Sequence, residues 1–293
     1  MRDAVERHVR DGMSIALGCA LEPAIPFAFG HELIRQGRRD LTLIGPISDV
    51  LFDQLIGAGC VAAVEAAWIG NVSAGLGHCY RRALEHGIPR RIVVRDHSNF
   101  TMAQSLLAGA IGAPYIPTRT LLGSDIPRAN GTFRDSVSPF DGTKVILLPP
   151  ITPDLAVIAC QVADPDGKAD LTGPWGVTQE AALAAKSVIV LAEIVTDRAL
   201  LRTPDRSIVP ATKVTAVVHE PGACHPSPLQ GRYHRDHEFF HEYHRATRTA
   251  EGFDAWIREW VTGVRDRGDY LRKLGPRWPV LDASMKFAPQ GSP

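Results

Sequence analysis

Cysteine is scarce and unpaired in this sequence: Cys19, Cys60, Cys79, Cys160 and Cys224 are spread over 293 residues with no C-x-x-C step. That excludes a zinc knuckle and a disulfide framework, and leaves buried thiols in a reducing compartment as the expectation. Neither sign of charge is in excess, with 32 basic against 32 acidic side chains and no block of five like charges. A nucleic-acid partner held by phosphate neutralisation is therefore excluded. No apolar run approaches the ~20 residues of a membrane-spanning helix. The opening MRDAVERHVRDGM alternates charged with apolar residues where a signal peptide would carry an apolar core. A cytoplasmic protein with no membrane contact is expected. The phosphate-cradling patterns G-x-x-x-x-G-K-[ST] and G-x-G-x-x-G are missing as well, which argues against nucleotide binding of the usual kinds.

What is present is a series of short, almost wholly apolar runs: Ser14 to Leu17, Leu41 to Ile44, Arg91 to Val94, Val145 to Leu148, Leu155 to Ala159, Ser187 to Leu191 and Val214 to Val218. Strands buried on both faces read this way, and the helix-like stretches between them imply an α/β fold: an open, mostly parallel sheet with helices on both faces. Near the C-terminus Phe253, Trp256, Ile257, Trp260, Val261 and Val264 recur at i, i+3, i+4, i+7, i+8 and i+11. One face of a helix there must be buried, in the core or in an interface seam. Gly275 followed by Pro276 closes the last helix. One domain over 1–275 with an extended tail over 276–293 is expected. The segments 123–144 and 164–176 are rich in turn residues and read as long loops within that domain.

Three local patterns suggest chemistry. The stretch SIALGCALEPAIPFAFGHELIRQG, residues 14–37, is a strand, a glycine turn with two prolines and a helix, the usual frame of a ligand site, although a tight turn with proline near a helix start accounts for it without a ligand. His237, Glu238 and His241 satisfy H-E-x-x-H, with His244 one turn on. The third ligand that a catalytic zinc site needs has no matching extension, and a solvated polar helix is the simpler reading. DPDGKAD, residues 164–170, resembles half of a calcium loop but lacks its closing glutamate, so Asp166 and Gly167 are expected to make a turn. No metal site is expected.

A resemblance covers nearly the whole chain. The stretches SIALGCALEPAIPFAFGHELIRQGRRDLTLIGP, LIGAGCV, AGAIGAPYIPTRTLLGSD, SPFDGTKVILLPPITPDLAVIACQVADPDGKADLTGP, VTAVVHEPGACHPSPLQGRY and FDAWIREWVTGVRDRGDYLRKLG, in this order, resemble the A (alpha) subunit of the family I CoA-transferases, most closely that of the glutaconate CoA-transferase type. The resemblance implies movement of CoA between an acyl-CoA and a carboxylic, dicarboxylic in some members, acid. The glutamate that attacks the thioester would belong to a B (beta) subunit, so this chain would hold half a site in a hetero-oligomer of AB pairs. CoA would be a substrate, with no further cofactor and no catalytic nucleophile here. A subunit interface suits such chemistry, because a carboxylate nucleophile needs a desolvated pocket and oxyanion donors.

By position within the matched stretches, the substrate-binding candidates are Asn71 and Ser73 in IGNVSAGLG, Ser98 and Asn99 in DHSNF, and Thr118 and Arg119 in PTR. Arg119 would pair with the free carboxylate of a dicarboxylic acyl group or, equally, only fix its loop. The alternative activity is a CoA-thioester hydrolase or ring-opening carbon–carbon hydrolase on the same fold. Relatives of that kind carry an acidic residue at the position of Asn99, whose amide takes no proton near neutral pH, and this favours the transferase. Apolar surface from the tryptophan helix is expected to drive association with the partner.

Overall fold

The computed structural model describes residues 1–197 and 206–283. In chain order the strands are β1 (Ser14–Ala16), β2 (Leu41–Ile44), β3 (Val61–Ala66), β4 (Gly70–Asn71), β5 (Gly75–Leu76), β6 (Val93–Asp96), β7 (Ile116–Thr118), β8 (Arg134–Val137), β9 (Lys144–Leu148), β10 (Leu155–Ala163), β11 (Ala169–Thr172), β12 (Ser187–Val195), β13 (Arg206–Val209) and β14 (Val214–His219). The helices are α1 (Arg2–His8), α2 (Phe27–Arg35), α3 (Asp49–Gly57), α4 (His78–His86), α5 (Asn99–Ile111), α6 (Ile126–Asn130), α7 (Thr178–Ala184), α8 (His237–Ala246), α9 (Ala250–Ile257), α10 (Arg267–Leu274) and α11 (Arg277–Ala283).

Strands β14, β12, β10, β1, β2, β3 and β6 pair side by side in that order, every pairing parallel. The far end of β10 carries the antiparallel β11 and, beyond it, β13. The strand alternation sorts the core into two layers. Leu155, Val157 and Ala159 of β10 face a cluster built with α2, α3, α8 and α9, while Ala156, Ile158 and Cys160 face the layer of α5 and α7. Burial on both faces is what makes the central strands β1, β2, β10 and β12 so apolar. The chain leaves β1 toward β2 on one side and returns to β1 through β10 on the other, so a topological switch point lies at the C-terminal ends of β1 and β10.

Four expectations need correction. Val145 to Leu148 is a strand, but β9 lies between β7 and β8 in a separate antiparallel sheet with its own small core of Leu121, Phe133, Ile146 and Leu148. Segments 123–144 and 164–176 are not plain loops, since the first contains α6 and β8 and the second contains β11. The tail begins with a helix, α11, where extended chain was expected, while 284–293 lie outside the described residues. The tryptophan stripe faces the protein's own core: Trp256, Ile257 and Val261 are buried, and the helix passes into a π-helical turn at Arg258–Thr262. It therefore supplies no exposed seam for a partner. The Asp166–Gly167 turn joins β10 to β11, with Gly167 at φ 99°.

Candidate functional site

In an open parallel sheet, ligands meet the loops at the C-terminal ends of the strands. Backbone strain gathers there in this chain. Among the described residues, the non-glycine positions at positive φ are Leu21 (73°), Ala24 (55°), Asp40 (58°) and Asp49 (47°). All but Asp40 lie in the loops that follow β1 and β2 or at the first residue beyond them. These two loops are pressed together. Ser48 Oγ donates to the Leu17 carbonyl at 2.8 Å, and a Cβ on Gly18 would lie 2.6 Å from Ser48 Oγ. Left-handed φ and close approach together require glycine at 18.

Beside these loops a buried polar network joins segments far apart in sequence. Asp49, fully buried, accepts from Arg235 at 2.6 Å and from the Val72 amide at 3.1 Å. Arg235 also donates to Ser73 Oγ at 3.0 Å and stacks over Phe240 at 3.8 Å. Asn71 is buried too. Its amide donates to the Phe240 carbonyl and its oxygen accepts from the Ser73 amide. One helical turn beyond Asp49, Asp53 accepts from the Tyr243 hydroxyl at 2.6 Å and the Tyr80 amide at 2.7 Å. Burial raises the carboxyl pKa of both aspartates, against the opposing pull of these donors. The network clamps the β4–β5 hairpin between α3 and α8.

Of the residues singled out in the sequence, Asn71 and Ser73 thus meet in the hairpin. Ser98 caps α5, exchanging hydrogen bonds with Thr101 in a capping box. Asn99 is the first residue of that helix and is exposed. Thr118, buried at the end of β7, shares a hydrogen bond with Thr120, and Arg119 beside it is exposed within electrostatic reach of Asp141. No hydrogen bond among the described residues joins these three pairs. Between β3, β6 and α4 opens a cavity of about 450 Å³ lined by Ala66, Trp68, Leu76, Tyr80, Leu84 and Asp96, among others. Sequence reasoning did not find Asp49, Asp53, Arg235 or Tyr243. Their contacts span 186 and 190 positions, which no local pattern encodes.

The other motifs resolve structurally. Glu238 of the H-E-x-x-H stretch is exposed and ion-paired with Arg245 at 2.8 Å, and the described residues contain no cluster of three metal-type ligands. His225 is sealed in the core between Asp236 and Tyr270, and burial pulls its pKa down to about 4 although Asp236 opposes this. All five thiols are buried, which pushes Cys60 up to about 11 and Cys19 to about 12. A thiol in that state is protonated and inert at neutral pH.

Residues 1–220 match the coenzyme A transferase family. Over 275 residues the chain is 40% identical to the A-type subunit of the 3-oxoadipate CoA-transferase of Pseudomonas knackmussii, covering 94% of this chain and 96% of that one. The A-type subunit of the glutaconate CoA-transferase of Acidaminococcus fermentans is 32% identical, covering 94% and 91%. The crystal structure of that glutaconate enzyme superposes with a TM-score of 0.88 over 98% of this chain and 95% of its own, at 31% identity. A cholesterol ring-cleaving hydrolase IpdA subunit of Rhodococcus jostii is more distant, 26% identical over 88% of this chain and 90% of its own.

Proposed function

Since this chain belongs to the coenzyme A transferase family as a subunit of the A type, we propose that it works with a B subunit to move CoA between an acyl-CoA and a dicarboxylic acid of the 3-oxoadipate or glutaconate class. The match along nearly the full length to the A-type subunit of a 3-oxoadipate CoA-transferase carries the substrate class. A glutamate of the partner attacks the thioester carbonyl and expels CoA thiolate, leaving a mixed anhydride. The thiolate then attacks the glutamyl carbonyl, releases the first acid and leaves a glutamyl-CoA thioester, from which the acceptor acid takes CoA by the reverse steps. Three of this chain's inward-facing carboxylates are engaged by internal donors, in keeping with a nucleophile supplied from outside. Asp49 is tied to Arg235, Asp53 to Tyr243, and Glu193 to Tyr233 and the Gly222 amide.

In this reading the present chain supplies the loops after β1, β2 and β6 as walls, with Asn71, Ser73, Ser98, Asn99, Thr118 and Arg119 as substrate-side candidates. CoA is a substrate and no further cofactor takes part. A cytoplasmic location belongs to the same proposal; among the described residues no helix is long and apolar enough to cross a membrane. Asn99, an amide where the hydrolytic alternative needs a base, favours transfer over hydrolysis.

The test is coexpression with the adjacent reading frame, followed by assay of 3-oxoadipate, glutaconate and acetate as acceptors for an acyl-CoA. Acceptor-dependent turnover, trapping of CoA on the second chain, and loss of both when one of its glutamates becomes alanine are expected. CoA release without an acceptor would replace the reading with a hydrolase, and a folded chain that copurifies alone would overturn the split site.

A further inference from the structure

The turn after β1 holds two residues, Leu21 and Ala24, in left-handed conformations that suit glycine. Each is strained for an L-residue, and such strain persists only where surrounding contacts determine it. Residues 175–177 press on the start of the turn, at Cys19 and Ala20, but the long-range hydrogen bonds to residues 22–28 come from one loop some 200 positions away. Ser227, fully buried, donates its hydroxyl to the Glu22 carbonyl and accepts from the Ile25 amide at 3.4 Å. The Pro228 carbonyl accepts from the Ala24 amide and the Ala223 carbonyl from the Ala28 amide, both at 2.9 Å. The loop is itself secured by the buried Arg267, which donates to the carbonyls of Gly222 and His225 at 2.6 Å each. Pro23 and Pro26 on either side of Ala24 narrow the turn's freedom further.

This clasp stands at the topological switch point. Below the turn the crevice is closed by Trp175, Leu229 and Gln230 around a residual cavity of about 10 Å³, scarcely the room of one water. A ligand therefore meets the turn's outer side, where Glu22 is exposed. A turn that only connected β1 to α2 would be relieved by glycine at 24. Keeping alanine there preserves one rigid shape at the expense of stability.

We propose that Ser227 is a positioning residue: it holds the Leu21–Ala24 turn in its strained form, and that form fixes the wall against which the acyl-CoA thioester is aligned for attack. The inference rests on the transferase reading, and alignment of the thioester is an effect on kcat rather than on binding.

The experiment compares wild type, Ser227→Ala and Ala24→Gly, each coexpressed with the B subunit, by steady-state kinetics and urea unfolding. Ser227→Ala is expected to lower kcat at least tenfold with KM for acyl-CoA changed less than threefold. Ala24→Gly is expected to unfold at equal or higher urea and still lose at least tenfold in kcat, because relief of strain and loss of alignment act in opposite directions. A merely structural turn would leave kcat intact in Ala24→Gly. Wild-type kcat in Ala24→Gly, or in folded Ser227→Ala, overturns the proposal. If Ser227→Ala does not fold, Ala24→Gly decides alone. A wild-type pair without acceptor-dependent turnover overturns the transferase reading instead, before either variant is compared.

Discussion

Tyr243→Phe removes a single oxygen from the clamp between α3 and α8. The Tyr243 hydroxyl donates to Asp53 Oδ2 at 2.6 Å and both residues are buried. The variant keeps the ring, and with it the edge contact to Trp256, so little packing is lost. What remains is a buried carboxylate oxygen without its donor. A hydrogen bond to a charged group is worth about 1.5–3 kcal/mol. At about 2 °C per kcal/mol for a chain of this size, the variant should melt about 3–6 °C lower. The cost should also depend on pH. Burial already lifts the Asp53 pKa above its unfolded value, and the hydroxyl is the strongest of the groups pulling it back. Losing that donor raises the folded pKa further. The unfolded state is the same in both proteins, so its pKa cancels: the extra penalty is complete above the variant's folded pKa and vanishes below the wild type's. Urea unfolding of wild type and variant at pH 8 and pH 5 measures this, with the larger difference expected at pH 8. A difference below about 0.5 kcal/mol at pH 8, too small for a lost bond to a buried charge, or one that grows as pH falls, would refute the reasoning.

Gly18→Ala should cost about 2–3 kcal/mol in thermal or urea unfolding, from left-handed backbone strain plus displacement of the Ser48 bond to Leu17. A loss under about 1 kcal/mol would mean that the two loops move apart freely. No thiol of the native chain should react with Ellman's reagent within minutes, and all five should react after denaturation, because each is buried and Cys19 is pushed up to about 12. One rapid native equivalent would contradict that burial. Arg119→Gln in the AB enzyme should raise KM at least tenfold for a dicarboxylic acceptor and leave acetate unaffected. Equal effects on both acids would assign Arg119 to its loop and not to the substrate.

The sequence made the parallel strands legible because burial on both faces leaves little but aliphatic side chains in β1, β2, β10 and β12, and β14 at the sheet edge is largely aliphatic as well. Val61–Ala66 escaped notice: it is half alanine and carries Glu65, so it lacks the β-branched density of a strand, and its place between β2 and β6 is set by pairing alone. β9 looks like a central strand for the same reason that the others do, because a run of apolar residues does not say which neighbour it pairs with. Helix α11 was hidden by Pro276 and Pro279. Pro279 falls in the first turn, where a missing amide costs nothing. The strain at Leu21 and Ala24 could not be read because neither is glycine. The residues that make the network around Asn71 and Ser73 come from Asp49 to Tyr243, and only the fold brings them together.

The position of β1 also has a consequence during synthesis. One edge of β1 is satisfied by β2, twenty-odd residues on, but the other waits for β10. Once Asp96 has left the ribosome the chain can already pair β1, β2, β3 and β6. The opposite edge of β1 then stays open until Leu155 follows, 59 residues later (155 − 96). At roughly 5–20 residues per second that is about 3–12 s with a short apolar edge unpaired, the kind of surface that recruits another strand. Nascent half-sheets on neighbouring ribosomes are therefore each other's nearest false partners, and slowing elongation between codons 97 and 155 should send more of the product into aggregates even though the finished protein is unchanged.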